Sequence, residues 1–244
     1  MSLAAPIGLA VVLLVIPLLL QPRSPADPAE FHGLLSLMWR LNKIYCSTFH
    51  HLRTGRAPLP AQGPAILIAN HTCNIDHFLL QAGTRRKLGF MIAKEYYDFP
   101  PFHPICRMIG CIPVNRNGKD LAAIRAALRA LEEGRVVPMF PEGTITPKSG
   151  EVIGVGKHGV AYLAIRAKVP VIPAYIRGTP RSIKFLRSFF TPSHSEVIYG
   201  PPIDPSEFVH PIDSTSERAF LSTTTDRFMA AIRAIYDANL PPKP

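Results

Sequence analysis

Ala65-Ile66-Leu67-Ile68-Ala69-Asn70-His71-Thr72-Cys73-Asn74-Ile75-Asp76 is an unbroken apolar run followed at once by a string of polar side chains. Five apolar residues without polar alternation read as a strand buried on both faces, the habit of a parallel sheet covered by helices. Asp76 opens a helical segment through Gln81, so His71 stands at the rim of the sheet with Asp76 one loop away. A carboxylate so placed can hold one ring N–H, fix the tautomer and leave the other nitrogen as a base. The same residues also suit a plainer role, in which Asp76 or Asn74 caps the helix and His71 merely ends the strand. Cys73 adds a third option, a Cys–His nucleophile that would itself be acylated.

Working outward, short apolar runs at 90–93, 111–114, 136–140, 169–176 and 194–199 read as further strands. Between them, Leu121, Ile124, Leu128 and Leu131 mark one face of a helix closed by Gly134, and residues 156–167 and 215–239 read as two more helices. Strands alternating with helices imply an α/β fold: a central, largely parallel (mixed) sheet flanked by helices, with binding groups at the strand ends. Pro138 and Pro173 interrupt two of the strands, which predicts sheet edges or bulges there.

Residues 1–22 carry no charged side chain, and 7–20 are almost wholly aliphatic. That stretch is close to the length of helix that a bilayer demands and lacks the basic start of a signal peptide, so a membrane anchor is expected. Arg23, Arg40, Lys43, Arg53 and Arg56 follow, placing the rest of the chain on the cytoplasmic face of the inner (plasma) membrane. Residues 30–52 form a second helical stretch in which Trp39, Arg40 and Lys43 lie among apolar residues, as in a helix at a lipid interface. A helix packed into the core gives the same pattern. The organisation expected is an anchor and amphipathic interfacial helix over 1–56, followed by an α/β domain over 57–244.

The 244 residues are 47% hydrophobic, which excludes a disordered chain. Lys and Arg outnumber Asp and Glu by 27 to 17, so the surface seeks anions: phosphorylated small molecules, acidic lipid headgroups or an acidic carrier protein. Nucleic acid is not expected as a partner, because no motif for it accompanies the charge. Four cysteines without a CxxC pair point to a reducing compartment. His71, Cys73, His77, His103 and Cys106 match no zinc spacing, and no metal is expected.

Two further clusters carry chemistry. Gly110-Cys111-Ile112-Pro113-Val114-Asn115-Arg116 delivers an arginine at a strand end, where a guanidinium can grip a phosphate or serve as an ordinary surface charge. Phe140-Pro141-Glu142-Gly143-Thr144 supplies a carboxylate, a glycine permitting close approach and a hydroxyl, or simply a turn.

These blocks resemble those of the PlsC-type glycerolipid acyltransferases, which include 1-acyl-glycerol-3-phosphate acyltransferases. Asn70, His71 and Asp76 match the first block, with Cys73 in its serine place; Gly110 to Arg116 meet the second in full. Phe140 to Thr144 meet the third, which then departs at Ile145 (arginine in the family) and Thr146 (serine); residues 169–173 resemble the fourth. The resemblance spans roughly residues 60 to 205. It implies His71 as the general base on an acceptor hydroxyl, oriented by Asp76. Arg116 would bind the acceptor phosphate, Glu142, Gly143 and Thr144 would shape its pocket, and Lys94 and Lys157 would be auxiliary cations. The acyl donor would be a thioester of coenzyme A or acyl carrier protein, the acceptor a lysophospholipid at an anionic membrane surface, and no cofactor would be needed. The product expected first is phosphatidic acid. Loss of the family arginine at Ile145 leaves open another lysolipid such as lyso-ornithine lipid; a Cys73-dependent thioesterase and a non-catalytic lipid-binding protein are the remaining alternatives.

Overall fold

Every residue of the run Ala65–Ala69 is fully buried, and as β2 it occupies the interior of a five-stranded sheet. The computed structural model describes residues 30–116, 120–208 and 217–239, and the anchor expected over 1–22 lies outside them. In chain order the elements are α1 (Gly33–Phe49), β1 (Arg53–Thr54), β2, α2 (Asp76–Ala82), β3 (Met91–Ala93), α3 (Lys94–Tyr97) and α4 (His103–Ile109). Then follow β4 (Ile112–Val114), α5 (Leu121–Glu132), β5 (Val136–Met139), α6 (Gly159–Ala167), β6 (Val171–Arg177), α7 (Phe185–Phe190), β7 (Glu196–Tyr199) and α8 (Glu217–Ala238). The sheet order is β1-β7-β6-β2-β5, parallel throughout except for the antiparallel pair β6–β7. The expected mixed, largely parallel sheet flanked by helices is what forms.

Alternation along β2 divides the core. Ile66 and Ile68 join Leu163, Phe228 and Ile232 on the face covered by α5, α6 and α8. Ala65, Leu67 and Ala69 pack with Cys46, Leu79 and Leu80 on the face covered by α1 and α2. Two layers of helix over one sheet leave the carboxyl ends of β2, β5 and β6 as the place where polar loops can gather.

Three sequence expectations need correction. Pro138 does sit on an edge strand, β5, but Pro173 lies in β6, between β7 and β2. The ladder tolerates it because its missing N–H would face Gly200, just beyond the end of β7; the Pro173 carbonyl on that side still accepts from the Gly200 N–H at 2.8 Å. Strands β3 and β4 form a separate two-stranded parallel sheet instead of extending the main one. Gly89 marks the parting: its N–H reaches the Val136 carbonyl, and a Cβ there would lie 2.8 Å from the Gly110 carbonyl oxygen. Finally, α5 turns Ala123, Ala127, Ala130 and Leu131 inward and leaves Leu121 exposed, because small side chains let it approach α6 and the sheet closely.

Helix α1 is tied to the α/β body by polar contacts as well as by Trp39 and Cys46. Trp39 Nε1 donates to the Thr84 carbonyl, Asn42 Nδ2 to the Phe78 carbonyl, and the Tyr45 hydroxyl to the Phe189 carbonyl. Leu35, Leu37, Met38, Tyr45 and Phe49 are half-buried, whereas Leu34, Leu41 and Ile44 remain exposed, so one side of the helix packs on the core and the other carries an exposed apolar stripe. Among the described residues no helix is long and apolar enough to cross a membrane.

Candidate active site

Where β2 ends, Asn70 turns its amide sideways and substitutes for a peptide group. Its Oδ1 accepts from the Ile176 N–H at 2.7 Å and its Nδ2 donates to the Ile176 carbonyl at 2.9 Å, clamping the ends of β2 and β6 together. The next residue, His71, is thereby held at the sheet's rim with 11% of its side chain exposed. Its Nδ1 meets Asp76 Oδ2 at 2.8 Å.

Asp76 is fully buried and saturated with donors. Besides His71 it accepts from the Thr72 N–H at 2.6 Å, the Cys73 N–H at 3.0 Å and the Thr72 hydroxyl at 2.6 Å. Thr179 Oγ1 in turn donates to Thr72 Oγ1 at 2.8 Å. Both backbone donors belong to the loop between β2 and α2, so the carboxylate folds its own loop around itself. Asp76 therefore orients the imidazole and braces the loop before it, but it does not cap the helix. It is the first helical residue, its oxygens accept from N–H groups upstream, and Ile75 at the N-cap position makes no side-chain capping bond, so the plainer capping reading does not hold.

Phe140, at the end of β5, lies flat on the His71 ring with centroids 3.9 Å apart and planes 6° apart. His77 completes the wall, edge-on to both rings. Burial, then the neighbouring His71, push the His77 imidazole down to about 4, so it stays neutral. Glu142 is spent on backbone: Oε1 accepts from the His71 N–H at 2.9 Å and Oε2 from the Gly154 N–H at 3.0 Å. One carboxylate thus joins the loops after β2 and β5. Gly143 has a φ of +72°, and a Cβ there would lie 2.8 Å from Lys157 Nζ; glycine is what lets the lysine cross the loop. The Thr144 hydroxyl reaches only its neighbour's carbonyl, at 3.4 Å.

Two predicted site residues stand in a different cluster, at the carboxyl end of the smaller sheet. Arg116 meets Glu95 at 3.3 Å and lies over the Tyr96 ring, and Lys94 pairs with Asp98 at 2.6 Å. All four charged side chains are about half exposed, so these pairs are weak and readily exchanged for another anion. His71, Asp76, Glu142, Gly143 and Lys157 are linked by contacts into one group; Arg116 and Lys94 form the second.

Cys73 is fully buried, with its Sγ 3.6 Å from Asp76 Oδ1. Burial and then the Asp76 charge push its thiol well above the ordinary range, the opposite of what a nucleophilic cysteine needs. Cys106 and Cys111 occupy the ends of a Schellman turn closing α4: the Cys111 N–H donates to the Cys106 carbonyl and the Gly110 N–H to that of Arg107, with Gly110 left-handed. Among the described residues no group of three or more His, Cys, Asp or Glu is placed to hold a metal ion.

Sequence reasoning missed the Asn70 clamp, the Thr72–Thr179 relay and the stacking role of Phe140. Only an asparagine directly after a buried strand hinted at the first.

The fold and this geometry define an α/β protein with an oriented imidazole at the carboxyl rim of its sheet. A family model described as Acyltransferase matches residues 52–177, just over half of the sequence, and the chain belongs to that family. It is an enzyme, an O-acyltransferase. The 1-acyl-sn-glycerol-3-phosphate acyltransferase of Bacillus subtilis is 28% identical over 153 residues, covering 62% of this chain and 73% of that one. The lyso-ornithine lipid O-acyltransferase of Rhodobacter capsulatus is 27% identical over 184 residues, covering 67% and 66%. The crystal structure of the 1-acyl-sn-glycerophosphate (LPA) acyltransferase PlsC from Thermotoga maritima superposes with a TM-score of 0.64 at 21% identity, over 86% of this chain and 82% of that one, which shows a shared fold.

Proposed function

We propose that the enzyme moves a fatty acyl group from a thioester of coenzyme A or acyl carrier protein to the free hydroxyl of a lysophospholipid. The observation that carries this reading is the His71–Asp76 pair, in which the acid is fully buried and the imidazole keeps 11% of its side chain exposed at the sheet's rim. Asp76 accepts the Nδ1 proton, so the neutral ring offers Nε2 as a base. As the acceptor oxygen attacks the thioester carbonyl, its proton passes to Nε2; the C–S bond then breaks and the thiolate leaves with that proton. Glu142 acts by positioning, since it holds the His71 backbone and the glycine-bearing segment at Gly154. Lys157, lying across Gly143, and Arg116, released from Glu95, supply cations for an acceptor phosphate; Lys94 serves as a further cation and Thr144 as a hydroxyl facing the acceptor.

The acceptor we favour is 1-acyl-glycerol-3-phosphate, giving phosphatidic acid. A second acceptor, lyso-ornithine lipid, is supported by Ile145, where the family carries an arginine, and by the likeness to the Rhodobacter enzyme. Losing one charged hydrogen bond weakens phosphate binding by about 1.5–3 kcal/mol. Exposed Leu34, Leu41 and Ile44 on α1, beside Lys43, support docking of residues 1–56 on an anionic membrane at its cytoplasmic face, with 57–244 as the catalytic part.

The test is product analysis with purified protein, a panel of lysolipids and labelled acyl thioesters. Acylated lysophosphatidate that disappears in His71→Ala supports the proposal. Hydrolysis of the thioester without lipid product, or activity retained in His71→Ala, refutes it.

A further inference from the structure

Helix α7 is six residues long, yet it is apolar on two neighbouring faces about 100° apart. Phe185 and Phe189 face inward: Phe189 stacks on Tyr45 of α1 at 4.6 Å, and Phe185 meets Phe102 at 5.6 Å, just before α4. Leu186 and Phe190, one turn apart, face outward and are 67% and 69% exposed, and Ile183 just before the helix is 55% exposed. A helix with one wet face buries its apolar stripe and exposes polar groups; this one does not.

The surrounding surface continues the pattern. Nine of the twelve large apolar side chains exposed among the described residues lie on three segments, which are α1, the α3–α4 stretch and 183–190. Ring contacts join those segments, from Phe99 through Phe102, Phe185 and Phe189 to Tyr45. Basic side chains are interleaved where α7 faces out: Lys184 and Arg187 are both exposed. Apolar residues that penetrate, alternating with cations at headgroup level, fit an anionic bilayer. They do not fit a second copy of the chain, which would set like charges against each other.

This surface is wired to the loop that holds His71. Asn74 Nδ2 donates to the Ile183 carbonyl at 2.8 Å, and Thr179 Oγ1 reaches Thr72 at 2.8 Å. We propose that residues 183–190 are a second membrane-contacting element, separate from the N-terminal segment. Leu186 and Phe190 enter the acyl-chain region, Lys184 and Arg187 meet the headgroups, and the loop 70–76 is thereby seated where a lipid hydroxyl emerges from the bilayer. The inference rests on the membrane association proposed above.

The experiment uses the full chain with vesicles of phosphatidylglycerol and phosphatidylcholine whose acyl chains carry bromine. Phe190→Trp should add emission that the brominated lipid quenches, whereas Leu121→Trp, on an exposed site of α5, should add emission that it does not; the wild type with its native Trp39 is the baseline. The double variant Leu186→Ser, Phe190→Ser should lower kcat/KM for a vesicle-embedded acceptor by on the order of tenfold or more, from the apolar area no longer buried. It should leave the rate on a water-soluble short-chain acceptor unchanged. If the protein sediments with the vesicles while the Phe190→Trp signal stays unquenched, this element is wrong and the N-terminal docking stands. If no protein sediments with vesicles, both fall together. Equal losses on both acceptors, or a dimer that the double variant dissociates, would also overturn the proposal.

Discussion

Replacing Asp76 by asparagine isolates the charge from the geometry. An amide with its oxygen in the place of Oδ2 still accepts from Thr72 N, Cys73 N and His71 Nδ1, so the ring keeps its tautomer. Its NH2 group then meets Thr72 Oγ1, which already accepts from Thr179. What is lost is the attraction between a buried carboxylate and the imidazolium that forms when His71 takes the acceptor's proton. With Nδ1 and Oδ2 2.8 Å apart the charge centres lie about 4 Å apart, worth about 4 kcal/mol at an effective dielectric near 20. That corresponds to roughly three powers of ten in kcat/KM, read by thiol release from acyl coenzyme A. Stability should fall by about 1.5–3 kcal/mol as charged hydrogen bonds become neutral ones, so rates are compared below the variant's melting temperature. A variant folded by circular dichroism that stays within about tenfold of wild type would refute the electrostatic role, since the Coulomb figure would then be too large by more than half.

Other substitutions test other joints. Glu142→Gln can accept at only one of its two backbone partners, and we expect a loss of about 1–3 kcal/mol in stability together with a fall in kcat larger than any rise in KM; a change in KM alone would contradict a positioning role. Asn70→Ala strands the Ile176 N–H and carbonyl, at about 1–3 kcal/mol for each group; a melting temperature equal to wild type would show the clamp to be dispensable. Cys73→Ser should retain most activity, because the buried thiol is not the nucleophile; collapse of turnover with the fold intact would reinstate an acyl-cysteine route. His77 is held down to about 4 while the unfolded chain binds a proton near 6.5, so stability drops as pH falls from about 6.5 toward 4 and flattens below, by a few kcal/mol. His77→Phe should flatten that slope; an unchanged pH dependence of the melting temperature would rule His77 out as its source.

The legible parts of the molecule were those where one residue type does one job. A five-residue apolar run could only be an interior strand, and a histidine and an aspartate within one strand–loop–helix step could hardly avoid meeting. Pro173 was misread because sequence shows a missing donor but not whether the neighbouring strand reaches it. Helix α5 follows its leucine stripe in part: Leu131 is buried and Ile124 and Leu128 pack against the core, but Leu121 is exposed and Ala123, Ala127 and Ala130 are buried, because leucine spacing does not show which face comes closest to the sheet. Arg116 and Lys94 come from a second small sheet, and no local pattern announces that β3 and β4 part from the rest at Gly89. Helix α7 was invisible, being too short for its periodicity to register.

The phenyl ring of Phe140, parallel to the imidazole at van der Waals distance, leaves His71 no room to swivel. A base that cannot turn has a single working nitrogen. In the mechanism proposed above, the proton taken from the incoming alcohol and the proton given to the outgoing sulfur then use the same atom in succession. Donor sulfur and acceptor oxygen are then compelled to share one small volume beside that nitrogen. An inhibitor that places a single electronegative atom midway between the two would exploit this confinement.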